Sequence, residues 1–159
     1  RWESTNRNEA ISHRLKSAGL TRKIGTNQIR AIRFILSGSP KDMKQIEQAG
    51  KLDEWCRDSV EWMKRTYGSE NVVSAVLHMD EETPHIHATL IPIVQTERRK
   101  KKSEKLVKKN YRKKPSGAAR LSANDIMTRQ KLKAYQDGYA LAMAKIRIET
   151  WQLSARKPA

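Results

Sequence analysis

Three of the four histidines in this chain, His78, His85 and His87, fall within ten residues. They lie in the stretch His78-Met79-Asp80-Glu81-Glu82-Thr83-Pro84-His85-Ile86-His87. His85 and His87 bracket one apolar residue. Alternate side chains of a β-strand point to the same face, so these two imidazoles are expected to look the same way. Neutral imidazoles suit Zn, Mn, Co, Ni or Fe at about 2.0–2.2 Å. Three protein ligands leave open coordination positions, the pattern of a catalytic rather than a closed structural site. Asp80 and Glu81 are placed to orient an imidazole through its second N–H, or to serve as a base. Glu82 reads as solvated surface. The bland alternative is three unrelated strand histidines.

Positioning these groups calls for a hairpin. Asn71 to Met79 is rich in β-formers and predicts a strand. Asp80 to Pro84 has turn chemistry, and Pro84 does not suit a central strand. His85 to Val94 predicts the next strand. A five-residue connection implies antiparallel pairing. With His78 opposite His85, Val76 falls opposite His87, and all three imidazoles share one face about 5 Å apart. Ile86, Ala88 and Leu90 then point to the other face and into a core.

Charge sets the partner class. Across 159 residues, 33 Lys+Arg against 17 Asp+Glu give a net +16. That excess suits a polyanion, because each neutralised phosphate releases counterions. No basic amphipathic helix with a bulky apolar face points to a membrane surface, and no apolar run is long enough to span one. The lone cysteine, Cys56, forms no internal disulfide and fits a reducing compartment. An open metal site beside a phosphate-binding surface points to phosphodiester chemistry, with the ion polarising a non-bridging oxygen. A side chain rather than water can be the attacking group in such a site.

The remaining elements follow in order. Thr5 to Ala18 predicts a short helix stopped by Gly19. The loop Leu20 to Gln28 carries Arg22 and Lys23, and the strand predicted over Ile29 to Ser37 adds Arg30 and Arg33; all four are candidate phosphate contacts. Ile32, Phe34 and Leu36 share that strand's buried face. Ser39-Pro40 starts a helix that ends near Gly50. A second helix runs from Leu52 to Tyr67 with Trp55, Cys56, Ser59 and Met63 on its packed stripe. The run from Arg98 to Lys114 holds eleven Lys/Arg against one Glu. It is read as a segment tracking a phosphate backbone through Arg98, Arg99, Lys100, Lys101, Lys102, Lys108, Lys109, Arg112, Lys113 and Lys114. Ser122 and Asp125 resemble a capping box. The longest helix is expected from Thr128 to Thr150, turning Leu132, Tyr135, Tyr139, Ala142, Met143 and Ile146 to the sheet. Gly138 costs that helix about 1 kcal/mol against Ala. The expected fold class is α+β, an antiparallel sheet with helices packed on one face. It forms one domain over residues 1–151, with a basic insert at about 97–116 and a tail over 152–159.

The ten-residue stretch resembles the signature of the Pre/Mob plasmid mobilisation relaxases, the MOBV class of HUH endonucleases. The family pattern is close to H-x-D-E-x-T-P-H-x-H, and His78 to His87 meet every fixed position. Tyr67-Gly68-Ser69-Glu70-Asn71 leads into the motif, and Leu121-Ser122-Ala123 and Leu132–Gln136 follow it, as in that family. The resemblance covers roughly residues 29–146, apart from the basic run. It implies a ferredoxin-like relaxase palm and a DNA-nicking enzyme. Such an enzyme cuts one strand at an origin of transfer and holds the 5′ phosphate covalently. It implies that His78, His85 and His87 bind Mn²⁺ or Mg²⁺, with nitrogen ligands favouring Mn²⁺. Glu81 matches the family's functionally important acid, with Asp80 beside it. The implied partners are single-stranded or supercoiled origin-of-transfer DNA and accessory mobilisation or coupling proteins, in the bacterial cytoplasm.

The family's nucleophile, a His or a Tyr, is expected near the N-terminus in an H-x-x-R-type motif. A second motif rich in Asn, Arg and His should follow it. Neither stands in this sequence. His13-Arg14 lacks the spacing, which leaves His13 as the weakest of the candidate site residues. The chain begins at Arg1, so the first strand and the nucleophile are expected upstream. Tyr135 and Tyr139 read as core, and Tyr67 as a helix end. Three rival readings remain. A rolling-circle replication initiator or transposase shares His-hydrophobe-His but not H-x-D-E-x-T-P. A 2H-type phosphoesterase needs a second H-x-T unit beside His87-Ala88-Thr89. A basic DNA-binding module needs no catalysis at all.

Overall fold

The computed structural model describes residues 6–96 and 117–155, with the side chains of 150–155 left aside. The run of basic residues from Arg98 to Lys114 therefore lies outside the described residues. Helix α1 spans Arg7–Ser17, capped by the Asn6 side chain accepting from the Asn8 N–H. Gly19 ends it in the left-handed region at φ 66, where a Cβ would be strained. Strand β1 spans Ile32–Leu36, α2 spans Pro40–Gln48 and α3 spans Leu52–Tyr67. Ser39 caps α2, its hydroxyl accepting from the Asp42 N–H at 3.1 Å. A single 3-10 turn, Ser69–Asn71, leads into β2, Val72–His78, which is followed by β3, His85–Leu90. The short strands β4 (Ile93–Val94) and β5 (Arg120–Leu121) precede α4 (Ala123–Ile126) and α5 (Arg129–Ala155).

The main sheet is antiparallel, with β3 between β1 and β2. Its alternation divides the faces as the sequence predicts. Ile32, Phe34, Leu36, Ile86, Ala88 and Leu90 join the main core with Met43, Ile46, Trp55, Trp62, Met63 and Ile146. The other face carries the histidines. Val73 is the extra residue of an irregularity in the β2–β3 ladder. It packs instead with Ile91, Ile93, Leu121 and the apolar side of α1 in a second, smaller cluster. The antiparallel sheet with packed helices is the expected α+β class.

Four expectations need correction. The first strand is shorter than predicted, because Ile29 is 53 % exposed and the chain pairs only from Ile32. The third strand does not run to Val94. Pro92 has no N–H to continue a ladder, the Ile91 N–H turns to the Asn71 carbonyl, and Ile93–Val94 pairs with β5. The Ser122 side chain makes no capping bond; Asp125 is taken by Arg120 instead. Leu132 is 47 % exposed rather than packed. Helix α5 rests on α3 and α2, with the Tyr139 and Ser59 hydroxyls 2.9 Å apart. The Tyr135 hydroxyl donates to the Ile126 carbonyl at 2.9 Å. Its contact with the main core therefore comes largely through those helices.

Candidate metal centre

The β2–β3 register sets the centre. His78 pairs with His85 and Val76 with His87, the alignment expected from the turn length. The three imidazoles stand together, with ring centroids 4.2 Å apart for His78 and His87, 4.8 Å for His85 and His87, and 5.4 Å for His78 and His85. One nitrogen from each lies within 4.8 Å of the other two. Nitrogens that share one ion at about 2.0–2.2 Å lie roughly 3 Å apart, so the cluster is near the size that a single ion would draw together. The donor set is all nitrogen, which suits Mn²⁺ better than Mg²⁺.

The three ligand candidates are held differently. His85 is buried, and its Nδ1 lies 3.0 Å from the Thr83 carbonyl. A carbonyl only accepts, so this contact requires Nδ1–H and leaves Nε2 with the free lone pair. The Nδ1 of His78 lies 3.6 Å from the Asp80 carboxylate, whose side chain is 78 % exposed. His87 gives up its proton more readily than an ordinary histidine. Burial is the main cause, and His78, His85 and Arg33 add repulsion that Glu81 partly opposes. Burial and this repulsion favour, at His87, the neutral imidazole that a metal requires.

Asp80 is thus the acid nearest an imidazole, while Glu81 is exposed and acts on His87 through space. Arg33 is exposed on β1, one row from His87, since Ile35 is the direct partner of His87 and Arg33 that of Thr89. Ile35 and Val76, the two cross-strand neighbours of His87, are 60 % and 46 % exposed. Arg30 is exposed just before β1. Arg22 and Lys23 line a shallow basin of about 400 Å³ with Gly25, Thr26, Asn27 and Gln28. His13 is exposed on α1 and does not join the histidine cluster. Arg98, Arg99, Lys100, Lys101, Lys102, Lys108, Lys109, Arg112, Lys113 and Lys114 lie outside the described residues.

None of the described tyrosines is prepared as a nucleophile. Burial holds the hydroxyl protons of Tyr67, Tyr135 and Tyr139 more tightly than in a free phenol. Burial likewise keeps Cys56 as a thiol, which makes it unreactive. One contributor escaped the sequence reading. Ser37 reaches the hairpin through the Pro84 carbonyl, and nothing in its spacing marks it; Thr83, a fixed position of the motif, acts through its backbone carbonyl.

The family model described as "Plasmid recombination enzyme" (Mob_Pre) matches residues 2–150. A plasmid recombination enzyme of Bacillus thuringiensis is 29 % identical over 143 residues, covering 90 % of this chain and 26 % of that protein. A type 1 plasmid recombination enzyme of Staphylococcus aureus is 30 % identical over 90 residues, covering 57 % of this chain and 22 % of that protein. The chain therefore spans about a quarter of the length of these relatives. Among solved structures, the MobM relaxase domain bound to a 26-nucleotide oriT DNA superposes with TM-score 0.60 at 17 % identity, over 87 % of this chain and 66 % of that one. An Mn-bound crystal structure of that domain with oriT DNA gives TM-score 0.62 at 19 % identity, over 87 % and 58 %. The likeness in fold extends over most of the chain.

Proposed function

This chain belongs to the plasmid recombination enzyme (Mob_Pre) family, and from that premise we propose that it is the metal-binding part of a DNA relaxase. Its substrate is one strand of DNA at an origin of transfer, single-stranded or in a supercoiled plasmid. The observation that carries this reading is the three-imidazole cluster on an open face of the sheet. Relatives named as plasmid recombination enzymes and a fold shared with an Mn-bound, oriT-bound relaxase domain support it.

His78, His85 and His87 would hold Mn²⁺, or Mg²⁺ in its place. When bound, such an ion polarises a phosphate oxygen and offsets the negative charge that builds up in strand transfer. The protein's own groups do the rest. Thr83 holds the His85 ring in the tautomer that frees Nε2. Asp80 orients His78, and Glu81 balances charge beside His87. The strand lies across Ile35 and Val76, with Arg33 meeting a phosphate one row away. Arg22, Lys23, Arg30 and the basic run at 98–114 extend the phosphate track. In the transesterification a nucleophilic side chain bonds to phosphorus as the P–O3′ bond breaks. A 5′-phosphoryl adduct and a 3′ hydroxyl result, and no water is consumed. His13 remains a weak candidate for the attacking group.

We place this activity in one nuclease domain over residues 1–151, in the bacterial cytoplasm. Among the described residues, no helix is long and apolar enough to cross a membrane. Accessory mobilisation proteins or a coupling protein are the further partners.

The test is Mn²⁺ binding by calorimetry, followed by nicking of supercoiled plasmid carrying the cognate origin. One divalent ion per chain is expected, and the double variant His85→Ala/His87→Ala should lose it. Parent-like binding by that variant would sink the site assignment. Conversion of plasmid to open circle should require Mn²⁺ or Mg²⁺. A chain that binds ion and origin DNA but leaves the plasmid intact holds the metal site without the attacking group.

A further inference from the structure

We propose that Ser37 is a positioning residue for the metal centre, setting the aim of His85 through the Pro84 carbonyl. The proposal rests on the metal reading above. Ser37 follows the last residue of β1, where Leu36 pairs with Ile86. Its hydroxyl donates to the Pro84 carbonyl at 3.0 Å, while the Gly38 carbonyl lies farther off at 3.4 Å. A hydroxyl has one proton to give, so the shorter contact takes it. The Pro84 carbonyl belongs to the peptide plane that leads into His85. Fixing that plane fixes the direction from which the His85 side chain departs.

The ring is then held a second time, by Nδ1–H donating to Thr83 at 3.0 Å. Thr83, Pro84 and His85 are thus clamped from β1 across the strand gap and from within the turn. Pro84 and His85 are both buried, and Ser37 and Thr83 are half-buried. The clamp therefore works largely out of solvent, where a hydrogen bond is worth more than on the surface. His78 and His87 have no comparable support. The nearest acid to His78 is 3.6 Å away and exposed, and His87 has no hydrogen-bond partner among the described residues. Preorganisation is concentrated at His85, and the edge strand supplies it.

Long-range ¹H–¹⁵N spectra of the imidazoles in metal-free protein, with calorimetric Mn²⁺ titrations, test this in the parent, Ser37→Ala and Ser37→Thr. The parent should show His85 as the Nδ1–H tautomer. Ser37→Ala should show mixed tautomers at His85 and bind Mn²⁺ about tenfold more weakly, the low end for support behind a ligand. Ser37→Thr, which keeps the hydroxyl, should restore both. Ser37→Ala should also melt somewhat lower, since the Pro84 carbonyl loses its donor; a merely structural role would lower the melting temperature alone and leave tautomer and affinity as in the parent. Parent tautomer and affinity in Ser37→Ala would overturn the proposal. So would a loss of affinity that Ser37→Thr does not restore. If the parent itself fails to bind Mn²⁺, the metal reading falls, while the metal-free spectra still decide whether Ser37 sets the ring.

Discussion

His87 shows how one residue's surroundings prepare it for a metal. Burial lowers its proton affinity first, and the two neighbouring imidazoles and Arg33 lower it further. A depressed histidine binds fewer protons folded than unfolded. Its contribution to stability is therefore complete above its ordinary value of 6.5 and is lost as pH falls through the lower folded value. Metal-free protein should unfold at lower urea concentration at pH 5 than at pH 7.5. His87→Asn should narrow that gap; an unchanged gap would assign the acid sensitivity to other groups. His85 predicts the opposite balance. It is buried and bonded to Thr83, so His85→Ala removes packing and leaves a carbonyl without its donor. A loss of about 1–3 kcal/mol is expected in metal-free protein. Urea denaturation at pH 7.5 measures it, and a loss under about 0.5 kcal/mol would contradict the hydrogen bond.

At the scale of elements, α5 offers a test of packing against propensity. Gly138 sits within it, and a Cβ there would meet only the Trp62 indole nitrogen, at an ordinary 3.7 Å. The backbone there is helical, so alanine fits without strain. Gly138→Ala should stabilise the protein by about 0.5–1 kcal/mol, read from urea midpoints. A destabilised variant would mean that this helix crosses α3 more closely than the contact implies. The helix also shows where sequence pattern stops informing. Tyr135, Tyr139 and Ile146 were legible as a packed stripe, because burial on one side leaves a 3.6-residue rhythm. The partner of that stripe was not, since a rhythm names a face and not what covers it. The hairpin was legible down to its register, because turn length and alternation together leave one pairing. The break after Leu90 was visible only as Pro92, and the Ser37 and Thr83 bonds not at all. Such contacts depend on strands distant in sequence meeting at one point, which no local spacing encodes.

The whole molecule carries +16, and residues 98–114 hold eleven basic residues against one acid. Most of the net charge is therefore remote in sequence from the histidines, while Arg33 stands beside them. The two should be separable by salt. Each phosphate neutralised on single-stranded DNA contributes about −0.7 to the slope of log affinity against log salt. If half the basic run engages phosphates, deleting residues 98–114 should flatten that slope by roughly 3 to 4. Arg33→Gln should flatten it by less than 1, while Ile35→Ser with Val76→Ser should weaken binding and leave the slope unchanged, since neither residue meets a charge. Fluorescence anisotropy with a single-stranded origin oligonucleotide at 50 to 300 mM salt reads all three. Equal slopes for parent and deletion would remove the basic run from the binding surface. A slope changed by the apolar pair would mean that Ile35 and Val76 position phosphate contacts rather than sugar or base. The pattern expected is a long electrostatic track that gathers DNA, with a short face at the hairpin that places one phosphate over the imidazoles.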